Sequence, residues 1–392
     1  MATSARLPPE ERFLLACARA TREPAAQQEL AALEAEGIDW ERLRASAVRH
    51  GMLVILAKWL ADHLPDGMPP AMANDLRRLY LHSTAASLRK LAEAERAVRH
   101  LRDGDIASVP FKGPLLSLMA YGDAGLRVST DLDLLLARED VERAMDLLAG
   151  LGYQTAQAAD RSQWAAILRY QNEWPLVRSA PPAQLDLHWA VAPRQIACGL
   201  DVRQILARSP RVEVAGYMLP SLDTADLILM LCIHGAKHDW DALELICSLA
   251  GVVGGAAEVD WTTILGTASA SGCRRRCLLG GLLAAELLRA PIPGWFLDIA
   301  RADRGAADLA TLTMESLSAR QSRTTTLARH MKWQGASLDG YGAKTRYFLL
   351  RTFEPSPEDW GAIRLPPDLY FLHYPMRPPR LIVKHAARIA RR

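Results

Sequence analysis

Apolar positions change their period twice along the chain, and those changes divide it into regions. Up to about residue 103, Leu14, Leu15, Leu30, Leu33, Leu43, Val48, Leu53, Leu56 and Leu60 recur at helical spacings, and Asp39 stands where a cap would start a helix at Trp40. Across 71–101, Leu76, Leu79, Leu88, Leu91, Ala94 and Val98 are set among charges and predict one long amphipathic helix. His50 and His63 read as surface or packing residues. Asp103-Gly104-Asp105 is a turn signal, and beyond it the apolar runs shorten. The pattern predicts a strand at 106–111, a helix at 114–121 opened by Pro114, a strand at 129–136, an amphipathic helix at 139–151 and a strand at 153–158. A short helix or strand lead-in follows at 164–170.

Residues 173–179 and 184–191 flank Ala180-Pro181-Pro182-Ala183 and predict a hairpin, with a second one around Gly216 at 211–219. Antiparallel return strands beside a βαβ start predict an α/β (α+β) fold with a mixed sheet and helices on one face. From Thr224 to about Leu350 the spacing is helical again, with a break at Pro291-Ile292-Pro293-Gly294. Pro355, Pro357, Pro366 and Pro367 predict an irregular stretch. The expected organisation is a helical region at 1–103, an α/β domain at 104–220, a helical domain at 221–352, and an irregular segment with a basic tail at 353–392.

Composition narrows the function classes. The chain has 392 residues, half of them hydrophobic and 23% charged, as in ordinary globular proteins. A net charge of +3 does not by itself argue for a nucleic-acid partner. Of the six cysteines only Cys273 and Cys277 are close, separated by three arginines, and no second pair completes a zinc site. The start of the chain has no basic-then-apolar signal, and no uncharged run approaches the roughly 18 residues of a membrane span. A cytoplasmic protein with reduced thiols is expected. Walker, Gly-x-Gly-x-x-Gly and Gly-x-Ser-x-Gly motifs are missing, so the commonest nucleotide-binding and serine-hydrolase signatures do not apply.

The candidate chemistry lies in Ser129-Thr130-Asp131-Leu132-Asp133-Leu134-Leu135-Leu136. Residues two apart on a strand share a face, so Asp131 and Asp133 would present their oxygens together while Leu132 and Leu134 enter the core. Carboxylates that close repel unless a cation or a shared proton relieves them, and hard oxygen ligands on a rigid strand suit Mg²⁺, with Mn²⁺ as a substitute. In Gln184-Leu185-Asp186-Leu187-His188-Trp189, Gln184, Asp186 and His188 alternate with the apolar residues. Asp186 becomes a third carboxylate if the two strands are neighbours. The bland alternative is three solvated strand-end acids. His234 and His238 share a helical face, but Gly235 stands where a zinc-protease helix carries glutamate.

Phe111-Lys112-Gly113-Pro114, Tyr121-Gly122-Asp123, Leu126 through Leu135, Leu185 through Trp189, and Leu231 through Trp240 together resemble the nucleotidyltransferase superfamily with the DNA polymerase β-like palm. The resemblance spans roughly residues 40–375 and is strongest at 106–240. It departs from the superfamily at Lys112-Gly113, which replaces the usual Gly-Ser, and at Ser248, where an acid is expected. The resemblance implies a mixed-sheet palm flanked by helical regions, with Asp131 and Asp133 holding both magnesium ions and Asp186 holding one and helping to activate the acceptor hydroxyl.

The implied reaction moves a nucleoside monophosphate from an NTP, ATP by default, to a hydroxyl or phosphate on a small molecule or peptide. Gly113 would let the backbone approach phosphates, and the helix opened by Pro114 favours anions at its N-terminus. Lys112 either pairs with a phosphate or makes a surface salt bridge. Arg127 and Ser129 either donate to phosphate oxygens or shape the turn. His234 and Lys237 either touch triphosphate or acceptor or pack across the cleft. Two other readings stay open: a palm-fold binding or scaffold protein without turnover, and an RNA-end-modifying enzyme. The tail residues Arg377, Arg380, Lys384, Arg388 and Arg391 would lie on RNA or on an anionic membrane surface, although a solvated helix face is the favoured reading of the tail and nucleic acid is not the favoured partner.

Overall fold

The structure, a computed structural model, describes residues 7–155, 161–318 and 327–389, apart from 64, 66, 197, 364 and 366. Five helices come first: α1 (Pro9–Ala20), α2 (Ala26–Ala35), α3 (Trp40–Arg49), α4 (Leu53–Asp62) and α5 (Pro70–Asp103). Asp39 caps α3 by accepting from the Arg42 N–H. Helical spacing did not guarantee burial, since Val48 and Leu88 are 58% and 48% exposed. α5 has 34 residues and so runs about 50 Å. Met72, Ala73 and Leu76 near its start join the helical core, whereas Ala94, Ala97, Val98 and Leu101 near its end cover the sheet. One continuous rod thus fixes the sheet relative to the helices.

Next come β1 (Ser108–Pro110), α6 (Gly113–Tyr121), β2 (Leu132–Leu136), α7 (Val141–Ala149), β3 (Gln154–Thr155), α8 (Arg161–Tyr170), β4 (Glu173–Ser179) and β5 (Pro182–His188). The sheet is mixed, in the order β1-β2-β5-β4-β3. The hairpin expected around Pro181 is β4–β5, with Ser179 opposite Pro182. Two expectations need correction. β1 pairs antiparallel with β2, so β1–α6–β2 is not a parallel crossover; the parallel pair is β2 with β5. β2 also starts at Leu132 rather than at 129, so Asp131 precedes the strand. On one side Pro110 is the last partner, opposite Leu134, and proline has no N–H with which to extend the ladder before the chain turns into α6. Of the strand expected at 153–158, β3 is the described part, and 156–158 lie outside the described residues.

After α9 (Val202–Arg208), β6 (Arg211–Val214) and β7 (Tyr217–Pro220) form the second expected hairpin. Its two-residue turn, Ala215-Gly216, has positive φ at both positions, the twist that two-residue hairpins favour. Helices α10 (Thr224–Lys237), α11 (Leu243–Gly255), α12 (Trp261–Ala270), α13 (Arg274–Leu288), α14 (Gly294–Ala302), α15 (Arg304–Ser318), α16 (Leu327–Ala336) and α17 (Gly340–Phe353) follow. Leu14 and Leu56 from the first helices share one core with Leu231, Leu249 and Leu283 from the later ones. The stretch read as irregular contains α18 (Pro357–Ala362), a 3₁₀ turn at Pro367–Leu372, and α19 (His373–Ile389), which takes in most of the basic tail. Among the described residues no helix is long and apolar enough to cross a membrane.

α6 is clamped at both ends. Arg22 donates to Ala120 O at 2.8 Å and Met119 O at 2.7 Å, satisfying carbonyls at its C-terminus. α11 crosses so closely that a Cβ at Gly251 would lie 2.4 Å from Ala120 O. The opposite end of α6 therefore meets the sheet at a fixed position.

Candidate metal and nucleotide site

The β2–β5 register sets Asp133 opposite Asp186 and Leu135 opposite His188. Alternation then sends Leu132, Leu134, Leu185 and Leu187 into the core beneath α5, leaving Asp133, Asp186 and His188 together on the other face. β4 adds Glu173, opposite His188. Lys112, at the N-cap of α6, reaches over the same face. Its Nζ lies 2.7 Å from Asp133 Oδ1, and His188 Nε2 lies 2.8 Å from that same oxygen. His188 Nδ1 is 3.2 Å from Glu173 Oε2, and Phe111 packs against the imidazole edge-to-face at 5.0 Å.

These charges act on one another. Burial opposes ionisation of Asp133, but the His188 hydrogen bond and the Lys112 ammonium outweigh it and hold the carboxyl well below its usual range. Burial pushes Asp186 the other way, and the charges on Asp131 and Asp133 add to the rise, with a Gln184 hydrogen bond in partial opposition. Glu173 is lowered against burial by His188, Lys237 and Lys112. Asp133, Asp186 and His188 each offer a ligand atom within 4.8 Å of the others, so the set could hold a metal ion. Asp131, in the bend before β2, is outside that set, although its charge acts on Asp186 and on Lys90.

The other predicted residues divide. Gly113 has φ +56°, and a Cβ there would sit 3.1 Å from Ser129 Oγ, so these two residues are brought together at the start of α6. Lys90 on α5 holds Ser129 by donating to its carbonyl and, at 2.9 Å, to its Oγ. Arg127 is committed elsewhere, to Glu244 Oε1 at 2.8 Å and Ser248 Oγ at 2.7 Å. The acid expected at Ser248 is thus supplied one helical turn earlier. His234 and His238 pack with ring centroids 4.7 Å apart on the last turn of α10. Burial first, and then Lys112, His238, Arg127 and Lys237, push His234 well below the usual histidine range, so it is neutral at pH 7. Lys237 and Lys112 both act on Glu173 and on His234, so the charges at the end of α10 and the start of α6 reach the same groups.

Sequence reasoning missed Glu173, Lys90 and Glu244 and left His188 without a role. His188 had a signal, its alternation with Asp186. The others are joined to the site by pairing and packing that no local pattern carries.

The mixed α+β sheet with paired acids on adjacent central strands defines the class, a nucleotidyltransferase palm. The chain belongs to the uncharacterised nucleotidyltransferase family, whose sequence profile matches residues 36–289. No curated protein matches the chain.

Proposed function

We propose that the protein moves a nucleoside monophosphate from an NTP, ATP in the first instance, to a hydroxyl or phosphate on a small molecule or peptide. The observation that carries this reading is the β2–β5 register, which aligns Asp133 with Asp186 beside the N-terminus of α6. Two carboxylates and an imidazole within 4.8 Å fit a divalent cation, and the charge of Asp131 in the preceding bend acts on the same group. Such an ion, when bound, neutralises phosphate charge and lowers the pKa of an attacking hydroxyl.

The chain's own groups supply the rest. Lys112 exchanges Asp133 for a phosphate oxygen, and Gly113 and Ser129 line the backbone approach to it. Neutral His234 and the Lys237 ammonium meet the triphosphate or the acceptor from α10. Asp186, with its raised pKa, accepts the proton of the acceptor hydroxyl. Arg127, bound to Glu244 and Ser248, braces the cleft wall rather than the phosphates. The reading places the protein in the reducing cytoplasm, where its six free cysteines would stay reduced.

Incubation with labelled NTPs and a panel of acceptors, with pyrophosphate release followed alongside, tests this. Labelled product and pyrophosphate are expected together, and both should vanish in Asp133→Asn. No pyrophosphate from any NTP would overturn it. One observation favours the scaffold reading: Lys112 and His188 both contact Asp133 Oδ1, so the carboxylate has protein partners of its own. That reading predicts melting indifferent to ATP plus a divalent ion. An RNA-end acceptor is disfavoured, because Arg377 and Arg380 are ion-paired with Asp359.

A further inference from the structure

The donor set on the sheet is not the all-oxygen set that aspartates alone would make. His188 is 3% exposed and held from three sides, by Asp133 at Nε2, by Glu173 at Nδ1 and by the edge-to-face Phe111 ring. The Glu173 contact is built into the backbone, because β4 pairs with β5 so that these two residues face each other. A carboxylate 3.2 Å from Nδ1 favours, by its charge, the tautomer with the hydrogen on Nδ1 and leaves the Nε2 lone pair for a cation. Asp133 Oδ2 accepts no hydrogen bond from the described residues, so the carboxylate keeps an oxygen for a ligand even while Lys112 and His188 share Oδ1.

We propose that His188, oriented by Glu173, is a nitrogen ligand in this centre, and that the centre therefore takes a first-row transition ion such as Mn²⁺ in preference to Mg²⁺. This rests on the metal-dependent reading above and departs from the magnesium that the aspartates alone suggested. Mg²⁺ demands a near-ideal octahedron of oxygens and gives up water reluctantly. Imidazole is a poor match for it, and affinity for mixed nitrogen and oxygen sites rises along the first row from Mn²⁺. An ion held there would take the place of the His188 Nε2–Asp133 Oδ1 contact and free the Lys112 ammonium from Asp133. Glu173 is a positioning residue: it acts on the ion only through the ring.

The test titrates Mn²⁺ into the full chain without nucleotide, reads free Mn²⁺ by electron paramagnetic resonance, and competes with Mg²⁺. Mn²⁺ should remain bound in about a tenfold excess of Mg²⁺. Glu173→Gln should weaken Mn²⁺ binding about 10- to 100-fold while leaving Mg²⁺ binding nearly unchanged. His188→Gln should abolish the preference, and in that background Glu173→Gln should have no further effect on Mn²⁺ affinity. Metal-free melting of each variant separates loss of a ligand from loss of the fold. Equal competition by Mg²⁺ in the wild type, or a preference that survives His188→Gln, overturns the proposal. Transfer activity without Mn²⁺ preference would sink this inference and spare the function above; selective Mn²⁺ binding without transfer would do the reverse.

Discussion

Asp133 and Asp359 are both buried, both depressed in pKa and both gripped by two basic side chains, yet they do different things. Asp359 is closed. Its Oδ2 accepts the Ser356 N–H at 2.7 Å, the Ser356 O–H at 2.6 Å and an Arg377 N–H, while Oδ1 accepts from Arg380 at 2.6 Å. Serine at the start of α18 and permanently charged arginines from α19 use both of its oxygens. Asp133 is open. Both of its partners, a lysine and a histidine, share one oxygen, and across the strand pair lies Asp186, whose charge is only partly offset by a Gln184 hydrogen bond. A lowered pKa alone would have marked both as functional. The strained neighbour distinguishes the site from the clasp.

The comparison breaks most sharply at the clasp. Asp359→Ala leaves Arg377, 8% exposed, without its carboxylate and removes the Ser356 contacts. Loss of one side of a buried ion pair costs about 3 kcal/mol or more. Hydrogen exchange should show α18 and α19 losing protection together while β2 and β5 keep theirs. If α19 stays protected, Asp359 is not what holds it. The same contact changes how the tail is tested for RNA binding: removing 377–392 also removes the clasp, so salt-sensitive binding has to be sought with Arg377 and Arg380 in place.

A smaller effect is expected at the mouth of the open site. Gly113→Ala forces a side chain onto φ +56° and sets its Cβ 3.1 Å from Ser129 Oγ. The conformational cost is about 1–2 kcal/mol, and the loop held by Lys90 has to give way. Denaturant melting should register the cost, and nucleotide-dependent stabilisation should fall further than global stability does. An alanine variant that binds NTP as well as the wild type would mean that this turn does not meet phosphate.

How much of this could be read beforehand follows from which interactions are local. The length of α5, the Asp39 cap, both hairpins and the common face of Asp186 and His188 depend on spacing within a few residues, and they were legible. The start of β2 was not, because alternation continues through Ser129 and Asp131 whether or not a partner strand lies alongside. The antiparallel β1–β2 pairing, the Glu173–His188 contact and the Arg377–Asp359 clasp join elements whose meeting is set by tertiary packing. Glu244 in place of Ser248 is a subtler case. One helical turn moves the acid four residues along the chain and leaves it on the same face, beside the same arginine.

The smallest effect carries the opposite sign and bears most directly on the open site. Burial and the charges of Asp131 and Asp133 raise the Asp186 pKa above 3.8, so the folded protein binds a proton there more readily than the unfolded chain does. Charged Asp186 therefore weighs against the fold at neutral pH. Stability associated with this group rises as pH falls through the raised pKa and levels off below 3.8. Asp186→Asn should stabilise the metal-free protein at pH 7 by about 0.5 kcal/mol, a modest figure because the group is partly solvated. The gain over wild type should shrink as pH is lowered towards 4, where wild-type Asp186 takes up its own proton. The depressed carboxyls of Asp133 and Asp359 lose their contribution only at more acid pH, as pH falls below the ordinary carboxylate value, and they do so in both proteins. Added divalent ion should reverse the ranking, stabilising the wild type and not the variant. A variant less stable than the wild type at pH 7 without metal would mean that Asp186 is held as Asp359 is, by partners of its own, and the contrast between an open site and a closed one would fail at the residue that defines it.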